Sequence, residues 1–294
     1  MSQTLYHQSE IIVIDSGSTD RSIDIINRYP VRLIQIPPAE FNHGDTRNLG
    51  ARAARGKYIV MTVQDAVPAT DQWLQHFVDG FENEKVVGLC GQQVVPHELD
   101  KNPVLWFRPV SAPRNTFYHY NTPEDFLRLN ISEQRELVGW DNVTSAYRRE
   151  ILLQFPFPRI DFAEDIFWAR EMLLKGYTLG HIDEARVFHY HHYKPEFILP
   201  RYFSVYYFEH KAFGLNPEPV RSVLRKMLSA ARILLRESAV SWPEKYKWLM
   251  YNIRYWLALR KTIRTFNNAL IKGDSFLDDR YRQICKKAPQ ALKY

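Results

Sequence analysis

The sequence is poor in cysteine, in long apolar runs and, over one stretch, in acidic residues, and each shortage excludes something. Only Cys90 and Cys285 occur among 294 residues, far apart and without metal-ligand spacing. That argues against a disulfide scaffold or a zinc site and suits a reducing compartment. No window reaches the roughly 18 uncharged apolar residues of a transmembrane helix. The first ten residues are polar and lack the apolar centre of a secretory signal. Between Arg221 and Arg264 eleven basic residues stand against Glu237 and Glu244 alone, a net of +9, leaving −3 for the rest of a chain whose total is +6. The basicity belongs to one segment.

What is present supports a large folded core: 45% of residues are apolar and 14% aromatic, so global disorder is excluded. The chain opens with Glu10-Ile-Ile-Val-Ile-Asp15, an apolar run that reads as a strand buried on both faces of a parallel sheet. It ends on Ser16-Gly17-Ser18-Thr19-Asp20, and a helix pattern follows through Ile23, Ile25, Ile26 and Tyr29. In open α/β sheets ligands sit beyond the carboxyl ends of strands, where Asp15 to Asp20 would lie. Asp15 suits a ribose or base N–H, and the small residues let backbone approach a ligand. The alternative is a plain strand-turn-helix joint with Asp20 as cap.

Further along, strands are expected at Val31–Ile36, Tyr58–Val63 and Val86–Cys90, with a helix through Trp73, Phe77 and Phe81. Phe41 to Gly50 reads as a polar loop running into a helix rich in alanine and arginine. This alternation predicts an α/β sheet with helices on both faces. Residues 96–135, rich in Pro, Asn and aromatics, read as an irregular functional insertion. A helix is expected over Phe162–Lys175, then strands to Phe188, the run His189-Tyr-His-His-Tyr193, and helices from about 197 onward. The predicted division is a domain over 1–200 and a helical, basic, aromatic-rich extension over 201–294.

Several of these segments, in this order, resemble the family 2 glycosyltransferases of the GT-A fold, and within them the rhamnosyltransferase-like branch. They are Asp15-Ser-Gly-Ser-Thr-Asp20, Phe41-Asn-His-Gly-Asp-Thr-Arg47-Asn48, Thr62-Val-Gln64-Asp65-Ala66, Ala163-Glu164-Asp165 with Trp168, and His189-Tyr-His191. The likeness covers roughly residues 8–210, and the ordered set weighs more than any single motif. It implies a GT-A-like (Rossmann-like), mostly parallel sheet with helices on both faces and a C-terminal helical extension. Two departures stand out. Val63 occupies the place of the first aspartate of the metal motif, a form the branch shares. Relatives also begin with a strand and helix that this chain starts after. Two expectations follow: a late-starting reading of an enzyme, or an impaired copy that binds a nucleotide sugar or glycan without transferring it.

The resemblance implies an inverting transfer of a sugar, rhamnose from dTDP-rhamnose, from a nucleotide diphosphate to a hydroxyl of a glycan or lipid-linked glycan. Asp165 would be the general base with Glu164 as its neighbour. Asp15, Ser16, Gly17, Ser18, Asp20, Arg47, Asn48 and Gln64 would bind the nucleotide. Asp65 and His189 would hold Mg²⁺ or Mn²⁺, hard cations that bridge diphosphate oxygens. Each role has a plainer counterpart. Glu164 and Asp165 also complement a helix dipole, Arg47 also suits a bridge to an acidic neighbour, and Gln64 also suits a strand-end amide. His189 and His191 also suit an aromatic cluster.

The basic segment carries a helical stripe of Val223, Leu224, Met227, Leu228, Ala231, Leu234 and Leu235, with Arg221, Arg225, Arg232 and Arg236 on another face. Trp242, Tyr246, Trp248, Tyr251, Tyr255 and Trp256 follow. This composition suits an anionic membrane surface contacted through 221–264, and so a cytoplasmic protein peripheral to that face. The alternative packs these faces on the catalytic domain. No nucleic-acid module motif is present, so nucleic acid is not expected as a partner.

Overall fold

β1 (Ile12–Asp15) and β2 (Arg32–Gln35) pair in parallel, joined by α1 (Ser22–Ile26). The computed structural model describes residues 2–96, 98, 102–105, 115–220 and 222–286. Two compact units emerge, one of residues 1–94 with 110–189 and the other of 95–109 with 190–294.

In the first unit, α2 (His43–Ala53) leads to β3 (Tyr58–Thr62), β4 (Val67–Pro68), α3 (Trp73–Gly80) and β5 (Val86–Val94). β6 (Asn115–Tyr118), α4 (Pro123–Leu127), α5 (Ile131–Leu137), β7 (Thr144–Arg148), α6 (Arg149–Gln154), α7 (Glu164–Leu174) and β8 (Thr178–Phe188) complete it. The central sheet runs β3-β7-β5-β8-β4, with β6 also on β8. The α/β class is the expected one, while the strand pairing is more mixed than a mostly parallel sheet. β5–β8 is parallel, and β3–β7, β5–β7, β4–β8 and β6–β8 are antiparallel. The cause is the excursion after β5, which returns to the end where β5 finished, so β7 runs back alongside it.

Side-chain alternation along β5 puts a helix on each face. Leu89 packs with Trp73 and Phe77 of α3 and with Phe81, all buried. Burial of this kind contributes about 1.5–3 kcal/mol per large side chain. Its neighbour Gly88 lies against the ring of Trp168 from α7. Trp168 meets Tyr147 edge-on at 4.8 Å and donates its indole N–H to Phe155 O at 2.7 Å. The buried guanidinium of Arg148 donates to the carbonyls of Val86, Phe81 and Asn83, so it tethers the segment after α3 to the sheet.

Three local expectations need correction. β1 is not buried on both faces: most of it is half-buried, and among the described residues it pairs with β2 alone. The stretch after Phe41 is helix from His43 rather than loop, because the Asn42 side chain accepts from the N–H groups of Gly44 and Asp45. The insertion is not irregular throughout. Thr122 caps α4, and an Asn130–Glu133 capping box starts α5.

The second unit is helical: α8 (Pro195–Phe213), α9 (Val223–Arg236), α10 (Trp242–Ile271) and α11 (Asp274–Cys285). Tyr207 of α8 stacks on Tyr281 of α11 at 4.1 Å and donates to Asp278 at 2.9 Å. No helix among the described residues is long and apolar enough to cross a membrane.

Candidate active site

Two asparagines staple α2 to the segment before α7. Asn42 Nδ2 donates to Ile160 O at 3.0 Å. Asn48 is buried, donates through Nδ2 to Phe157 O at 2.9 Å and accepts from Phe157 N at 3.0 Å. Between these staples Gly44 faces Pro158 so closely that a Cβ would fall 2.3 Å from its carbonyl oxygen. The result is that Arg47 Nη1 meets Glu164 Oε1 in an ion pair. Asn48, expected at the nucleotide, bonds the main chain of Phe157 in both directions and so fixes α2 beside the segment before α7.

At the start of α7, Ala163 adopts the left-handed region at φ 67°, a conformation that costs an L-residue of this kind about 1–2 kcal/mol. It turns the chain so that Glu164 and Asp165 enter the first helical turn together. Buried Asn142, just before β7, holds both carboxylates. Its main-chain N–H donates to Asp165 Oδ2 at 3.0 Å, and its Nδ2 donates to Glu164 Oε1 at 3.2 Å. Asn142 is itself fixed, because its Oδ1 accepts from Ser145 and Tyr147. Burial, then the neighbouring charge of Glu164, push the Asp165 carboxyl up to about 7, against the opposing pull of Arg47. Such a group is poised to take a proton near neutrality.

Asp65 stands beyond β3 with its side chain 42% exposed, and His189 Nε2 lies 3.5 Å from its Oδ1. The other ring nitrogen, Nδ1, is 2.7 Å from Gln93 Oε1 at the end of β5. Gln93 Nε2 donates to Asp141 Oδ2 at 2.6 Å, and Asp141 precedes Asn142. An unbroken polar path thus runs from Asp65 through His189, Gln93 and the Asp141–Asn142 pair to Asp165. A carboxylate and an imidazole nitrogen this close form a mixed oxygen and nitrogen donor set. That set fits a divalent cation completed by phosphate and water.

The Asp15 turn is separate from this path. Buried Asp15 accepts from the Ser18 hydroxyl, from Gly17 N at 3.0 Å and from Ser18 N, and these bonds, the hydroxyl's foremost, hold its carboxyl below the usual range. Gly17 sits at φ 95°, and a Cβ there would meet Pro38 at 2.4 Å. Its glycine is therefore demanded by the turn itself. Asp20 is exposed and accepts from Ser22 N at 2.9 Å at the entry to α1. Ser16 is half-buried, and Gln64 is exposed past β3. Sequence reasoning missed Gln93, Asp141 and the role of Asn142; the available signal was the polar Asp141-Asn142 pair at the mouth of a buried strand.

The family model described as glycosyl transferase family 2 matches residues 2–153. The chain belongs to that family. It is 37% identical over 204 residues to the O-antigen chain rhamnosyltransferase WbaN of Salmonella anatum, covering 67% of this chain and 61% of that protein. It is 34% identical over 211 residues to the O-antigen chain rhamnosyltransferase RfbN of Salmonella typhimurium LT2, covering 69% and 63%. The matched stretch thus spans less than two thirds of either relative. Among solved structures, the mannosyltransferase PcManGT from Pyrobaculum calidifontis, in complex with GDP-Man and Mn²⁺, is similar with a TM-score of 0.47 and 17% identity. That likeness covers 97% of this chain and 76% of the other.

Proposed function

We propose that the chain is an inverting glycosyltransferase that moves a sugar from a nucleoside diphosphate to a hydroxyl of a glycan or lipid-linked glycan. The names of the two curated relatives favour rhamnose, with dTDP-rhamnose as donor. The observation that carries the reading is Asp165, partly exposed, oriented by Asn142 and pushed up to about 7. Asp165 takes the acceptor O–H proton as that oxygen bonds to the anomeric carbon. The bond from that carbon to the diphosphate oxygen breaks, and its electron pair leaves with the diphosphate. Attack from the face opposite the leaving group inverts the configuration, through an oxocarbenium-like transition state.

Glu164 is the electrostatic neighbour of Asp165 and the anchor of Arg47. Arg47 turns the rest of its guanidinium to the leaving diphosphate. The Asp15–Asp20 turn, with Ser16, and Gln64 face the nucleotide. Asp65 and His189 would hold Mg²⁺ or Mn²⁺, which supplies charge neutralisation at the diphosphate when bound.

We extend the reading to a lipid surface. Val223, Ala230 and Leu234 of α9 are buried within its own unit. Leu224 and Leu228 (63% exposed each) and Leu235 (61%) form a second stripe facing outward. Exposed Arg225, Arg232 and Arg236 stand among them, a pattern that suits an anionic bilayer. Of the six aromatics assigned to a headgroup zone, Trp248 and Trp256 are buried and Tyr251 and Tyr255 half-buried, while Trp242 and Tyr246 are exposed.

The test is a panel of nucleotide sugars with Mn²⁺ or Mg²⁺, scored for nucleoside diphosphate release and for protection against unfolding. Release from dTDP-rhamnose supports the proposal. Protection without release from any donor, with a glycan acceptor present, supports the alternative of a binding protein that does not transfer.

A further inference from the structure

We propose that Gln93 and Asp141 are positioning residues that hold His189 as the Nδ1–H tautomer, so that Nε2, the nitrogen facing Asp65, is the one offered to a divalent cation. The inference rests on the metal reading above but is carried by the direction of the hydrogen bonds.

A carboxylate accepts and never donates when ionised. Asp141 uses Oδ1 to accept from Val143 N at 3.1 Å and Oδ2 to accept from Gln93 Nε2 at 2.6 Å. The amino group of the Gln93 side chain therefore faces Asp141, which leaves its carbonyl oxygen facing His189. At 2.7 Å from that oxygen, against 3.5 Å from Nε2 to Asp65 Oδ1, His189 Nδ1 carries the hydrogen, since the shorter contact tolerates two facing lone pairs least. The frame is rigid on both sides. Gln93 is in ladder register with Val187 of β8, and the main-chain N–H of His189 donates to Val94 O at 3.2 Å. Ring and amide are thus positioned by one parallel strand pair. Partners of this kind that fix a ligand's tautomer commonly change metal affinity about 10–100-fold when removed.

The test uses the full chain labelled with ¹⁵N-histidine. Long-range ¹H–¹⁵N spectra are recorded without metal, above the imidazole titration range, and the His189 ring is assigned by its loss in His189→Gln. The expected spectrum has the proton on Nδ1 of His189. Gln93→Leu should shift the ring toward the Nε2–H form and weaken Mn²⁺ binding about 10–100-fold, read by electron paramagnetic resonance of free Mn²⁺. The exchanged pair Gln93→Glu with Asp141→Asn keeps an acceptor at His189 and a donor behind it, and should restore both readouts. A proton on Nε2 in the unaltered chain overturns the proposal, as does Gln93→Leu that keeps tautomer and affinity. A chain that shows the expected tautomer, loses it in Gln93→Leu and binds no Mn²⁺ in any form supports the positioning and overturns the metal reading alone.

Discussion

Asn142 holds Asp165 by its main-chain N–H at 3.0 Å and keeps this half-buried residue beside the Arg47–Glu164 pair. A base in that setting works only when deprotonated. Because its carboxyl is pushed up to about 7, transfer at saturating donor should climb with pH through the neutral range and level off above it. A rate flat from about pH 5 to about pH 8 would remove Asp165 from proton transfer.

The same shift has a consequence for stability. The folded protein keeps a proton on Asp165 from the ordinary 3.8 up to about 7, whereas the unfolded chain has released it. Native Asp165 therefore costs stability increasingly as pH rises through that window, in full above it. The melting temperature of Asp165→Asn relative to the unaltered chain should rise across the window and then hold steady. A difference independent of pH would contradict the raised value.

Arg47 and Glu164 carry side-chain exposures of 19% and 5%. Removing one partner leaves a charge little hydrated, so Arg47→Ala should destabilise by about 3–5 kcal/mol in urea unfolding. The double change Arg47→Met with Glu164→Gln should cost less than Arg47→Ala alone, since no buried charge remains. Additive costs would show that the pair does not couple.

Chelation tests the cation proposal. EDTA should abolish transfer and Mn²⁺ should restore it, while Asp65→Ala should need at least about tenfold more Mn²⁺ for half-maximal rate. Full activity in EDTA would show that Asp65 and His189 serve another purpose.

On α9, Leu224→Gln with Leu228→Gln and Leu235→Gln removes the outward stripe and leaves buried Val223, Ala230 and Leu234 in place. The altered chain should keep its melting temperature and lose flotation with phosphatidylglycerol vesicles. The unaltered chain should float, less so as salt rises. Equal flotation of both would place lipid contact elsewhere.

Much of the first unit is legible in the sequence. The helical spacing of Trp73 and Phe77 with Phe81 just beyond gave α3 and its buried face, and Gly176 at φ 75° ends the α7 segment as expected. Strand order was not legible, because inserting β7 between β3 and β5 depends on register between distant segments. Helices α4 and α5, of five and seven residues, are too short to show a period and owe their start to single caps. In the site, Glu164 and Asp165 stand out as adjacent acids, and Arg47 makes the bridge to an acidic neighbour that the sequence also allowed. Gln93, Asp141 and Asn142 did not stand out, since one polar side chain at a strand end has no periodicity and acquires its role from partners dozens of residues away. The alternating apolar stripe of α9 was legible, but which half is buried depends on tertiary packing.

The most direct measurement compares the unaltered chain with Asp165→Asn at about pH 8, reading dTDP binding by calorimetry and the rate and anomeric configuration of transfer from dTDP-rhamnose by NMR. The account expects similar nucleotide affinity, an inverted product from the unaltered chain, and at least about a hundredfold slower transfer by the variant. Transfer by Asp165→Asn at the unaltered rate, or a product of retained configuration, would contradict it.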